Sequence, residues 1–164
     1  QPSMDANGNR VELDFRPPYR SILADGSRLQ QVVWNLLSNA IKFSSPGSPI
    51  GISLRQDEGG LRLCVSDQGQ GIAPDFLPFV FDRFSQGSAA GQRYRGGLGL
   101  GLPISRQLIE AHGGTVSASS EGIGKGASFE VWLPAGDRRP GSGASADEAN
   151  PTDVAGSSST SPAT

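Results

Sequence analysis

The sequence predicts one α+β domain, on three observations: short segments that alternate apolar and polar residues, two segments with a helical apolar period, and an abrupt change of composition after Leu133-Pro134. Val11, Leu13 and Phe15 alternate with Glu12 and Asp14, which predicts a half-buried strand. Asp25 is placed as an N-cap. From Ser27 to Phe43, Leu29, Val32, Val33, Leu36, Leu37, Ala40 and Ile41 recur with the spacing of an amphipathic helix. Ile50, Ile52 and Leu54, then Leu61, Leu63 and Val65, predict two further half-buried strands, with Asp57-Glu58-Gly59-Gly60 as their hairpin turn. A second helix is expected to open at Gly96 to Pro103, run through Ile104, Leu108 and Ile109, and stop at His112-Gly113-Gly114. Proline suits a first helical turn and glycine a C-terminal cap. Thr115 to Ser119 and Ser128 to Leu133 predict an antiparallel pair joined by the glycine-rich Glu121 to Gly126.

At 164 residues the chain has room for one domain of ordinary size and a tail. Residues 1–10 are expected to be a loose N-terminal segment, 11–135 the folded domain and 136–164 a disordered tail or linker. The last stretch is mostly Gly, Ser, Ala, Thr, Pro and Asp, with Val154 its one large aliphatic residue. It cannot bury enough apolar surface to offset the entropy of ordering it. The 14 basic and 16 acidic side chains leave a net charge of −2, which argues against a nucleic-acid groove. No apolar run approaches the roughly 20 residues of a bilayer span, so no direct membrane contact is expected. Cys64 has no cysteine partner, and with His112 alone it leaves too few soft ligands for zinc. A start at Gln1 hints at a fragment or a processed product.

Opposite the apolar face of the first helix, Gln31, Asn35, Asn39 and Lys42 fall within a stripe of roughly 80°. This is either a solvated face made of poor helix formers or a neutral amide surface with one cation, suited to hydrated Mg²⁺ and a polyphosphate. Asp67 ends the third strand and is followed by Gly69 and Gly71. Turn chemistry alone would explain them. Alternatively, an Asp at a pocket mouth accepts from the amino group of adenine and repels guanine's carbonyl, while glycines let the backbone approach the base. Gly96-Gly97-Leu98-Gly99-Leu100-Gly101-Leu102-Pro103 would expose helix-start N–H groups to an anion, or act as a hinge. Neither the dinucleotide fingerprint nor the P-loop fits. Phe79 to Phe84 is aromatic-dense, and Ser85 to Arg95 is small and polar, which suggests a lid or an ordinary surface loop.

In order, Asn35-Leu36-Leu37-Ser38-Asn39-Ala40-Ile41-Lys42-Phe43, Asp67-x-Gly69-x-Gly71-Ile72, Phe81-Asp82-Arg83-Phe84 and Gly97-x-Gly99-Leu100-Gly101-Leu102 resemble the N, G1, F and G2 boxes of the catalytic ATP-binding domain of sensor histidine kinases. The resemblance covers roughly Val11 to Pro134. It implies a Bergerat-type two-layer α/β sandwich, a mixed, mostly antiparallel sheet with helices packed on one face. ATP and Mg²⁺ would lie between the first helix and the lid. Asn39 would be the magnesium-ligand amide, with Asn35 one turn earlier in the ATP site. Lys42 would meet phosphate, and Phe43 would stand near the adenine. Asp67 would receive the adenine amino group. Gly69, Gly71, Gly97, Gly99 and Gly101 would shape the cradle, with Ile72, Leu98, Leu100 and Leu102 in the same boxes, and Phe84 would anchor the lid.

The related chaperone, gyrase and mismatch-repair ATPases place a water-activating Glu where this chain has Asn35, an amide that cannot act as a general base. The resemblance therefore implies a phosphoryl donor rather than a hydrolase. The acceptor would be a histidine on a dimerisation domain absent from this chain, because His112 sits at a helix terminus and reads as a cap. The implied setting is a cytoplasmic two-component system, with homodimerisation through that domain, a response-regulator receiver domain as partner, and a parent kinase that can be membrane-anchored. Gln68, Leu98 and Ala127 depart from the family pattern, and Gln86 resembles the form frequent in hybrid kinases. These departures keep a second class open, a degenerate nucleotide-binding scaffold.

Overall fold

Local chemistry sets the ends of the first helix. Asp25 Oδ1 accepts the N–H groups of Ser27 at 2.9 Å and Arg28 at 3.2 Å, satisfying donors that the helix itself leaves open. The computed structural model describes residues 8–17, 21–83 and 100–136. Within them the order is β1 (Arg10–Arg16), α1 (Gly26–Phe43), β2 (Pro49–Asp57), β3 (Gly60–Asp67), α2 (Gly101–Ala111), β4 (Thr115–Ser119) and β5 (Ala127–Pro134). One 3-10 turn at Leu77–Phe79, not predicted from the sequence, lies between β3 and α2.

The strands form one five-stranded sheet in the order β1-β2-β3-β5-β4. β1 runs parallel to β2, with Val11 opposite Ile50 and Phe15 opposite Leu54, and every other pair is antiparallel. α1 packs against β3 and α2, and α2 against β4, on one face of the sheet. Val32, Leu36 and Ala40 of α1, Ile109 of α2, and Ile50, Val65, Phe129 and Val131 of the sheet meet there as the core. The other face is polar. Arg62 pairs with Asp57 and Glu130, and Asp14 with Arg16 at 3.0 Å and Arg55 at 3.1 Å. Ion pairs this exposed add little stability and mark the solvent side of a two-layer sandwich. This is the architecture that the resemblance implies. No helix among the described residues is long and apolar enough to cross a membrane.

Three expectations change. β1 is a strand but not a half-buried one: Leu13 is 62% exposed and Phe15 51%. β1 is an edge strand, and α1 packs over β3 instead. The N-terminal segment expected to be loose through residue 10 is tied down sooner. Asn9 is buried and its Nδ2 donates to the carbonyls of Ser45 at 2.9 Å and Ser48 at 3.0 Å, while Arg10 already belongs to β1. At the other end Gly136, expected to begin the tail, donates its N–H to Ser21 O at 2.9 Å. The remainder of both segments, 1–7 and 137–164, lies outside the described residues.

His112 caps α2, as its place beside Gly113 predicts. Its Nδ1 lies 2.6 Å from Leu108 O, and its Nε2 accepts the Asp25 N–H at 3.1 Å, which ties the end of α2 to the start of α1. Cys64 is half-buried on the polar face, where burial and then the Glu130 carboxylate push its thiol above the usual range.

Candidate functional site

The site grows from the end of β3. Asp67 is its last residue, 9% exposed, and its carboxylate accepts the N–H of Gly69 at 2.9 Å and a backbone bond from Ala127. Burial pushes the carboxyl above its usual range, and the two backbone donors act in the opposite direction. A buried carboxylate with only neutral donors around it favours any further donor that reaches it.

The loop after Asp67 is clamped on both sides. Gln70 N–H donates to Phe43 O at the end of α1 at 3.1 Å, while the N–H groups of Gly124 and Gly126 donate to Gln70 O at 2.6 Å and Gly69 O at 3.2 Å. A Cβ on Gly69 would overlap the Phe43 carbonyl. Gly71, at φ +70°, would drive one into the Gly122 carbonyl. The sequence reading has these glycines admit the backbone to a base; the close approach seen here is to the chain's own backbone. Ser120, which the sequence gave no reason to single out, completes the clamp: its Oγ accepts the Ile72 N–H at 3.0 Å and donates to Gly126 O at 2.6 Å. Ile72 is buried beneath it.

α1 carries the rest. Asn39 is half-buried, and its side chain makes no hydrogen bond among the described residues. Lys42 is exposed with Nζ 5.0 Å from the centroid of the half-buried Phe43 ring, and desolvation lowers its pKa. Asn35 is different: its Nδ2 donates to Gly101 O and to Ser105 Oγ, both at 3.2 Å. Asn35 and Phe43 are eight positions apart, about 12 Å of helix. One flank of α1 therefore connects the Asp67 loop to the first turn of α2, with Asn39 between them.

At α2, Leu100 holds the N-cap position and supplies no side-chain cap, and Gly101 and Leu102 are half-buried. Phe84, Gly97, Leu98 and Gly99 lie outside the described residues, as does the predicted lid from Ser85 to Arg95. Phe81 packs edge-on against Phe129, with ring centroids 6.3 Å apart. Ser105, completely buried, was not singled out either. Its signal is a hydroxyl on the apolar stripe shared by Gly101 and Ile109, four residues to each side. No cluster of three or more His, Cys, Asp or Glu among the described residues could hold a metal ion. An ion here would need oxygens from a ligand and water, which suits Mg²⁺ on a phosphate chain and one amide such as Asn39.

Known proteins resemble the chain in sequence and in fold. The family described as histidine kinase-, DNA gyrase B- and HSP90-like ATPase matches residues 24–137. The chain is 40% identical over 139 residues to a hybrid signal transduction histidine kinase D of Dictyostelium discoideum, covering 70% of this chain and 9% of that protein. It is 44% identical over 110 residues to the sensor protein SrrB of Staphylococcus aureus, covering 67% and 19%. The chain thus spans less than a fifth of the length of these curated relatives. Among solved structures, the mycobacterial sensor histidine kinase MprB superposes with a TM-score of 0.71 at 31% identity, covering 81% of this chain and 88% of that one. Full-length ShkA in complex with AMPPNP gives 0.69 at 34% identity, covering 81% and 27%.

Proposed function

The chain belongs to the histidine kinase-, DNA gyrase B- and HSP90-like ATPase family, as a catalytic ATP-binding domain of the sensor histidine kinase type, and from that premise we propose that it binds ATP·Mg²⁺ along the α1 flank and presents the γ-phosphoryl group to a histidine of a dimerisation domain outside this chain. The observation that carries the proposal is the flank itself: a buried carboxylate at Asp67, an amide at Asn39 with no hydrogen bond among the described residues and a cation at Lys42, strung between the β3 loop and the start of α2.

Each group has a role that follows from its surroundings. Asp67 accepts the adenine amino group, with Phe43 beside the base and Ile72 and the clamped glycine loop as a rigid wall. Lys42 meets the phosphates. Asn39 would hold Mg²⁺, which when bound supplies charge neutralisation on the phosphate oxygens. Within this chain the remaining work is positioning. Asn35 carries an uncharged amide, which is not basic enough to take a proton from water, and this supports a phosphoryl donor over a hydrolase. His112 is the sole histidine, and both its ring nitrogens are engaged, so the acceptor histidine is elsewhere. In the parent protein this implies a homodimer through the acceptor domain, a response-regulator receiver as the next phosphoryl acceptor, and a cytoplasmic position.

Equilibrium binding of ATP with and without Mg²⁺, with GTP as comparator, tests the reading. Adenine-selective binding that Mg²⁺ strengthens and Asn39→Ala weakens is the expected result. A folded chain that binds no ATP would leave the degenerate scaffold as the better description. Labelling of the isolated chain by γ-labelled ATP would contradict the external acceptor.

A further inference from the structure

The side chain of Asn35 is committed to protein. Its Nδ2 donates to Gly101 O and to Ser105 Oγ at 3.2 Å, and Ser105 Oγ in turn donates to Gly101 O at 2.9 Å. The three groups close a ring in which both donors point at acceptors. The carbonyl of Gly101 can only accept, so the amide nitrogen has to face it, and turning the amide over would set two oxygens against each other. Ser105 is completely buried, so it cannot touch a nucleotide. The ring joins the middle of α1 to the first turn of α2, one helical turn before Asn39. The first turn of α2 has no side-chain N-cap of its own, since Leu100 provides none.

We propose that Asn35 and Ser105 form a clasp that fixes the first turn of α2 against Asn39, so that Asn35 serves the nucleotide as a positioning residue rather than as a ligand. The proposal rests on the nucleotide reading above and names the residue pair that sets the phosphate end of that site. The adenine end, built on Asp67, Gly69 and Gly126, does not depend on the clasp.

The test compares Asn35→Ala, Ser105→Ala and the double variant in the 164-residue chain. Losing a net hydrogen-bond contribution of about 1 kcal/mol corresponds to about five-fold in affinity. Each single variant is therefore expected to weaken ATP·Mg²⁺ about five-fold, the double variant no more than either single, and adenosine affinity to stay unchanged in all three. Without ligand, amide exchange at Ile104 and Ser105 should speed up in both single variants while exchange at Leu108 and Ile109 does not. If Ser105→Ala is poorly folded, Ser105→Cys, close in size and a weaker donor, should change both readouts in the same direction. Wild-type ATP affinity in Ser105→Ala beside a loss in Asn35→Ala would overturn the clasp and make Asn35 a ligand. Additive losses, or unchanged exchange, would also overturn it. Absence of ATP binding by the wild type would instead defeat the nucleotide reading, and the exchange measurement would still decide whether the clasp holds α2.

Discussion

A methyl group added to Gly69 or Gly71 would penetrate the carbonyl of Phe43 or Gly122, whereas the same group on Gly101 would meet only the Asn35 side chain, at 3.7 Å, an ordinary contact. The two glycine clusters look alike in sequence, yet among the described residues the packing requires glycine at Gly69 and Gly71 and not at Gly101. Gly71 also adopts a positive φ of +70°, and Gly126, which closes the loop from the other side, has φ +71° and faces the Asp67 carbonyl. Gly101 lies in ordinary helix. On the proposed nucleotide reading, the Asp67 loop would then be a rigid wall at the base, and Gly101 would be the described glycine at the phosphate end with room beside it.

The strongest way to break this contrast is Gly71→Ala. Left-handed backbone with a side chain costs about 1–2 kcal/mol, and the overlap with Gly122 adds to it, so urea unfolding should show a loss of at least about 2 kcal/mol. A loss below about 0.5 kcal/mol, the size of an ordinary surface substitution, would mean that the loop is not clamped as described.

Asp67→Asn sharpens the contrast, because it changes the charge of the wall without changing its shape. Losing a charge-assisted hydrogen bond should weaken ATP binding by about ten-fold or more. Stability should move the other way with pH. The carboxyl of Asp67 is raised in the folded state, chiefly by burial, so its favourable contribution is complete below the ordinary carboxylate range and is lost as pH rises through the raised value. Unfolding measured across that window should show the Asn variant gaining on the wild type as pH rises, then levelling off. A gap independent of pH would show that the carboxylate is not desolvated.

Features set by neighbours in the chain were legible in the sequence. The Asp25 cap, the turn at Glu58-Gly59 and the stop at His112-Gly113 each depend on contacts within a few residues. A turn after Asp67 was legible too, because two closely spaced glycines follow the strand. What crosses the fold was not. The exposure of Leu13 and Phe15 depends on which strand lies at the sheet edge and where α1 sits, and alternation alone cannot report either. Asn35 could be placed on a polar stripe, but its partners are 66 and 70 residues away. The residues missed, Ser105 and Ser120, are hydroxyls whose importance comes from the backbone groups that folding brings to them.

The smallest expected effect is also the one that bears most directly on the contrast. Gly101→Ala puts a methyl group where the chain has space, at the start of a helix where alanine is the better helix former by up to about 1 kcal/mol. The variant should therefore fold normally, with stability equal to the wild type or slightly above it in urea unfolding. If the room at Gly101 belongs to a phosphate chain, ATP·Mg²⁺ affinity should fall in this same variant, so that stability and binding separate. In Gly71→Ala they should fail together. A Gly101→Ala chain with unchanged stability and unchanged affinity would show that glycine at this position serves neither fold nor ligand, and the contrast of Gly101 with Gly69 and Gly71 would then reduce to the steric demands of those two.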